Sequence, residues 1–110
     1  MTGNYIPISS WAEDDKPREK MLLKGVTALS TNELLAILIR SGSGGESALD
    51  LSRRILTDAS NDLNTLARLS VSDFMNRYKG VGMAKAASII AAMELGRRRA
   101  LSTAREEPAL

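Results

Sequence analysis

Gly80 and Gly82 flank a single valine in Arg77-Tyr78-Lys79-Gly80-Val81-Gly82-Met83-Ala84-Lys85, and a run of helix formers follows at once. Glycine admits positive φ and lets another backbone approach closely. A helix starting near Met83 or Ala84 presents first amides that lack intrahelical acceptors. Those donors and the helix dipole together make a place for an anion. The spacing therefore predicts a phosphate grip formed by the amides of Val81, Gly82 and Met83, with Lys79 and Lys85 adding charge on either side. Val81 is expected to turn inward and anchor the turn. The stretch is not a dinucleotide fingerprint, because no strand precedes it and a third glycine is missing. It also lacks the Gly-Lys-Ser/Thr ending of a Walker loop.

Charge is unevenly spread around this turn. Residues 1–70 carry eight Lys/Arg against nine Asp/Glu, whereas residues 77–99 carry Arg77, Lys79, Lys85, Arg97, Arg98 and Arg99 against Glu94 alone. A local basic patch is the footprint of a polyanionic partner; arginines in a last turn also complement the helix dipole. The 110 residues contain no cysteine and no histidine, which excludes disulfides, Cys/His metal sites, thiol nucleophiles and a histidine base. Glu13, Asp14, Asp15 and Glu19 form an acidic cluster, read as a solvated helix start rather than a metal site. Asp73 and Glu94 make no evident catalytic pair. The chain is expected to be non-catalytic, with no cofactor, no metal and no catalytic residue. No apolar run is long enough to span a membrane and no signal pattern opens the chain, so it reads as cytoplasmic.

The elements that must hold the turn read as helices. Pro17 is expected to open the first of them, with Asp14 or Asp15 as its cap and Gly25 as its stop. Ser30 and Glu33 have capping-box spacing ahead of an apolar side of Leu34, Leu35, Ile37 and Leu38. Ser-Gly-Ser-Gly-Gly at 41–45 ends that helix. Ala48, Leu51, Ile55 and Leu56 stripe the next. A short connector follows, then a helix capped by Ser70. Ala86, Ile89, Ile90, Met93 and Arg97 share one face of the last and strongest helix. The fold class is all-α: a compact bundle of five or six short helices. Residues 1–16 read as an irregular arm pinned by Trp11, 17–100 as the helical domain, and 101–110 as a polar tail or linker start.

Shifting the chain by 38 residues lays Gly42-Ser43-Gly44 over Gly80-Val81-Gly82, Ala48 over Ala86, Leu51 over Ile89 and Ile55 over Met93. Both halves then read helix, G-x-G, helix, which suggests a duplicated hairpin. In the first copy Ser43 and Ser47 stand at the positions of Val81 and Lys85, so it reads as a degenerate hairpin that completes the fold.

Residues 70–95 resemble the helix-hairpin-helix motif of DNA-binding and DNA-repair proteins, which grips one phosphodiester backbone through hairpin amides with little sequence preference. A longer resemblance runs over residues 11–100. Pro17 to Lys20, Ala28 to Gly42, Lys79 to Ala86 and Glu94 to Arg98 match, in order, the blocks that open RadC-like proteins, which are named for DNA repair. That resemblance implies a DNA-backbone-binding N-terminal domain. It also implies a following JAB/MPN-type metallohydrolase domain with a histidine and aspartate zinc site, which a chain without histidine does not contain. The stretch reads as an excised or truncated piece of such a parent. The alternative is a protein-interaction or regulatory domain for that metallohydrolase domain, using the apolar Leu34–Ile39 stretch and making no nucleic-acid contact.

Overall fold

Side-chain caps set the helix starts. Ser30 Oγ accepts from the Glu33 amide at 3.1 Å and Glu33 returns a carboxylate to the Ser30 amide at 2.8 Å, a complete capping box. Ser70 and Asp73 repeat the device at 3.1 and 2.9 Å. Ser47 and Asp62 cap two further helices. The result, in a computed structural model describing residues 8–42 and 44–106 (side chains of 14–42 and 44–105), is all helical. Its elements are α1 (Ile8–Lys24), a 3₁₀ turn (Val26–Ala28), α2 (Thr31–Ile39), α3 (Ala48–Asp58), α4 (Leu63–Ala67), α5 (Val71–Arg77) and α6 (Met83–Glu106). Among the described residues there is no strand, and no helix is long and apolar enough to cross a membrane.

Two helical hairpins, α2–α3 and α5–α6, bury one apolar face each into a common core. Leu35, Ala36, Ile39, Ala48, Leu51, Ile55 and Leu56 come from the first hairpin; Phe74, Tyr78, Val81, Ala86 and Ile89 come from the second, and Leu66 of α4 joins them. The positions paired by the 38-residue shift agree in burial at Ala48 with Ala86 and at Leu51 with Ile89. On α2 the buried side is Leu35, Ala36 and Ile39, with Ile37 and Leu38 half-buried and Leu34 exposed. The apolar stretch proposed as a protein-docking surface is therefore mostly core.

Two expectations fail at the ends of the chain. Helix α1 begins at Ile8, so residues 8–16 are not an irregular arm and Pro17 lies inside the helix. Proline in a helix interior sacrifices a hydrogen bond, but the Pro17 ring is fully buried, and tertiary packing outweighs the local rule. At the other end α6 continues through the predicted tail as far as Glu106. Residues 1–7 and 107–110 and the Trp11 side chain lie outside the description, so the expected pinning by Trp11 does too.

Asp14 does not cap its own helix. Its carboxylate reaches across to the first hairpin, where Oδ1 accepts from the Ala48 amide at 2.7 Å and Oδ2 from the Gly42 amide at 3.4 Å. Lys20 pairs with Glu33 at 3.1 Å and fastens α1 to the start of α2. Replacing Asp14 with alanine removes a charged acceptor from a helix N-terminus and is expected to cost about 1–3 kcal/mol. Urea unfolding followed by circular dichroism measures this; an unchanged midpoint would show that the contact contributes nothing.

Candidate functional site

The second turn is built on Tyr78. This residue ends α5, is 2% exposed, and packs its ring on Phe74 with centroids 6.4 Å apart. Its hydroxyl donates to Asp58 at the end of α3 (2.7 Å), and the Arg54 guanidinium lies 5.4 Å from the ring centroid. Arg54 is itself held by Glu46 through bonds of 3.0 and 3.2 Å. Burial, then the bond to Asp58, pushes the phenol pKa up to about 12. The Tyr78 carbonyl accepts from the Val81 amide at 3.1 Å and closes the turn.

Gly80 makes the reversal with φ of +87°. Val81 turns inward, as its position between the glycines implied, and is 2% exposed. Helix α6 starts at Met83, and its first intrahelical bond runs from the Ala86 amide to the Gly82 carbonyl at 3.0 Å. The amides of Gly82, Met83, Ala84 and Lys85 precede that bond at the solvent-facing start of the helix. Lys79 is exposed beside them.

Five of the residues assigned to this site are committed elsewhere or lie far from the turn. The Val81 amide is spent on Tyr78, so it is not a free donor. The Lys85 ammonium donates to the Ser41 carbonyl at 2.7 Å, which ties the second turn to the loop after α2 and leaves only its amide at the helix start. Arg97 lies 14 residues along α6 from Met83, about 21 Å at 1.5 Å per residue, so Arg97, Arg98 and Arg99 are not brought to the turn. Arg97 and Arg98 also both bind Glu94, at 2.8–3.0 Å. Those bonds, to Arg97 first and then Arg98, hold the Glu94 carboxyl down at about 2. Arg77 is exposed one residue before Tyr78 and stays near the turn. The basic patch is thus two separate places.

The two loops differ in what covers their amides. Around the first, Asp14 occupies the Gly42 and Ala48 amides. A Cβ on Gly42 would fall inside the Glu46 carbonyl, so that glycine is required by the chain's own packing. Around the second loop no carboxylate sits on the amides among the described residues. Gly82 has no positive φ, and a Cβ there would meet nothing within 4 Å. Ser47, aligned with Lys85 by the 38-residue shift, is the α3 cap; Ser43 lies outside the described residues. Sequence reading missed Asp14 as the internal anion and Tyr78 as the anchor, since both act through residues distant in the chain. The acidic cluster disperses, with the Asp14 carboxylate bonded at the start of α3 and Asp15 bound to Arg18. Among the described residues no three acidic, cysteine or histidine groups stand together as a metal site.

The family model described as UPF0758 N-terminal matches residues 8–87. A UPF0758 protein of Flavobacterium johnsoniae is 59% identical over 98 residues, covering 89% of this chain and 42% of that relative. UPF0758 proteins of Moorella thermoacetica and Porphyromonas gingivalis are 46% and 44% identical, covering 94% and 84% of this chain. The chain thus spans about two fifths of the length of the curated relatives it matches. No solved structure matches it.

Two outcomes are expected. Gly80→Ala forces a left-handed alanine and should lose about 1–2 kcal/mol, whereas Gly82→Ala should unfold within about 0.5 kcal/mol of wild type; denaturant midpoints decide. The second concerns alkali. The folded-state pKa of Tyr78 lies above its ordinary value of 10.0, so the stability it contributes is complete below pH 10 and is lost as pH rises towards about 12. Melting temperature should fall over that window, and Tyr78→Phe should flatten this part of the profile.

Proposed function

The chain belongs to the UPF0758 family as its N-terminal domain, and from that premise we propose that it is a cytoplasmic, non-catalytic module that holds a DNA backbone phosphate at the second turn, as helix-hairpin-helix motifs do. The observation that carries this reading is the contrast between the two loops: Asp14 fills the anion position of the first, and the second leaves the amides from Gly82 to Lys85 open beside Lys79. Gly82 supports it further. Nothing inside the chain needs a glycine there, but a phosphate oxygen meeting the backbone does. Backbone amides read no base, so the contact carries little sequence preference. The RadC-like resemblance of the sequence agrees with this reading, and the reading revises the donor set to Gly82, Met83, Ala84 and Lys85, with Lys79 and Arg77 as neighbouring charges.

A grip on two or three phosphates gives affinity near the ~10⁻⁴–10⁻⁶ M of non-specific binding. Fluorescence anisotropy with labelled duplex DNA at low and moderate salt tests this. Lys79→Glu should weaken binding and lower the salt slope by about one. Gly82→Ala should weaken it about tenfold, the scale of one charge-assisted bond, with stability within about 0.5 kcal/mol of wild type. Lys85→Glu is a poor probe because it also breaks the bond to Ser41. Binding unaffected by Gly82→Ala and Lys79→Glu, or absent in wild type, would remove the proposal.

A further inference from the structure

Helix α6 is longer than the bundle it serves. It runs 24 residues, and from Leu95 to Arg105 every residue is exposed. An isolated helix of those eleven exposed residues is marginal in water. The exposed turns are not polar all round. Ala100, Leu101 and Ala104 share one side at helical spacing, interrupted only by Arg97, and continue the line of the half-buried Ile90 and Met93, which pack against the core. Ile90, Met93, Arg97 and Ala100 of that side form one wall of an open groove of about 600 Å³ whose other wall is Leu63, Asn64 and Ala67 of α4. Leu63 and Leu101 are each 44% exposed. The charge interrupting the stripe is already paired, since Arg97 is held by Glu94 in two bonds. Covering the stripe would therefore not strand a lone buried charge. An exposed apolar face whose one interrupting charge is already paired marks a surface for contact.

The relatives indicate by what. The matching family model is an N-terminal one, and the shared segment is only 42% and 44% of two relatives. In those proteins the larger part of the polypeptide lies beyond the end of α6. We propose that the α4–α6 groove and the apolar side of the last turns of α6 are the docking surface for that following polypeptide, in cis. The occupant is an apolar element, and docking continues α6 as the rigid connection between the two parts. This inference does not depend on DNA binding, because the α6 residues lining the groove begin at Ile90, seven residues past the start of the helix.

Hydrogen exchange tests it. In this chain alone, residues 97–106 should exchange close to their intrinsic rates. In the full-length Flavobacterium johnsoniae relative, the aligned residues and those aligned with 63–67 should be slowed by about tenfold or more, the mark of a covered element. The substitution equivalent to Ala100→Glu should restore fast exchange there, and the equivalent of Leu22→Glu, on an exposed part of α1, should not. Equal exchange in the two proteins would overturn the proposal. So would protection in this chain that appears only at high concentration, which would assign the groove to a second copy.

Discussion

The burial of two helical hairpins against one another is the constraint on which the rest depends. Ile39, Ile55, Phe74 and Ile89 are fully buried where the hairpins meet. Packing them face to face brings the loop after α2 and the turn before α6 close enough for Lys85 to bond Ser41. The loops are therefore neighbours, and any anion chemistry at the helix starts is arranged at one end of the bundle. A chain of this size buries a modest core, so the caps and cross-links at this end carry a real share of its stability.

The two helix starts solve the same problem differently. Each leaves amides without acceptors. At α3 the chain supplies its own anion, Asp14, carried across by α1. At α6 the turn is held from below, by the Tyr78 ring, its bond to Asp58 and the buried Val81, and its outer surface stays open. The side chains that rigidify the turn point inward; the groups offered to solvent are backbone amides, Gly82 and Lys79. A rigid turn loses little freedom on meeting a ligand, which favours binding.

What the sequence disclosed was local. Ser30 with Glu33, Ser70 as a cap, the stop at Gly25 and the stripe of Ala48, Leu51, Ile55 and Leu56 depend on neighbours within a few residues, and the structure has them as read. The inward Val81 followed from the spacing of its glycines. The rest depended on distant partners. Asp14 and Ala48 are 34 residues apart, and Lys85 and Ser41 are 44 apart; neither pairing has a signal in the sequence. Pro17 misled because its local preference for a first turn was outweighed by the burial of its ring. The grouping of Arg97 to Arg99 with the turn failed on length alone, since a helix carries them about 21 Å away.

The most direct measurement is a map of backbone amide shifts in the ¹⁵N-labelled chain as short duplex DNA is added. Shifts should concentrate at Gly82, Met83, Ala84 and Lys85, with Gly42 and Ala48, already bonded to Asp14, unmoved. Shifts centred on Gly42 and Ala48, or on Arg97 to Arg99 without the turn, would contradict a phosphate grip at the second turn.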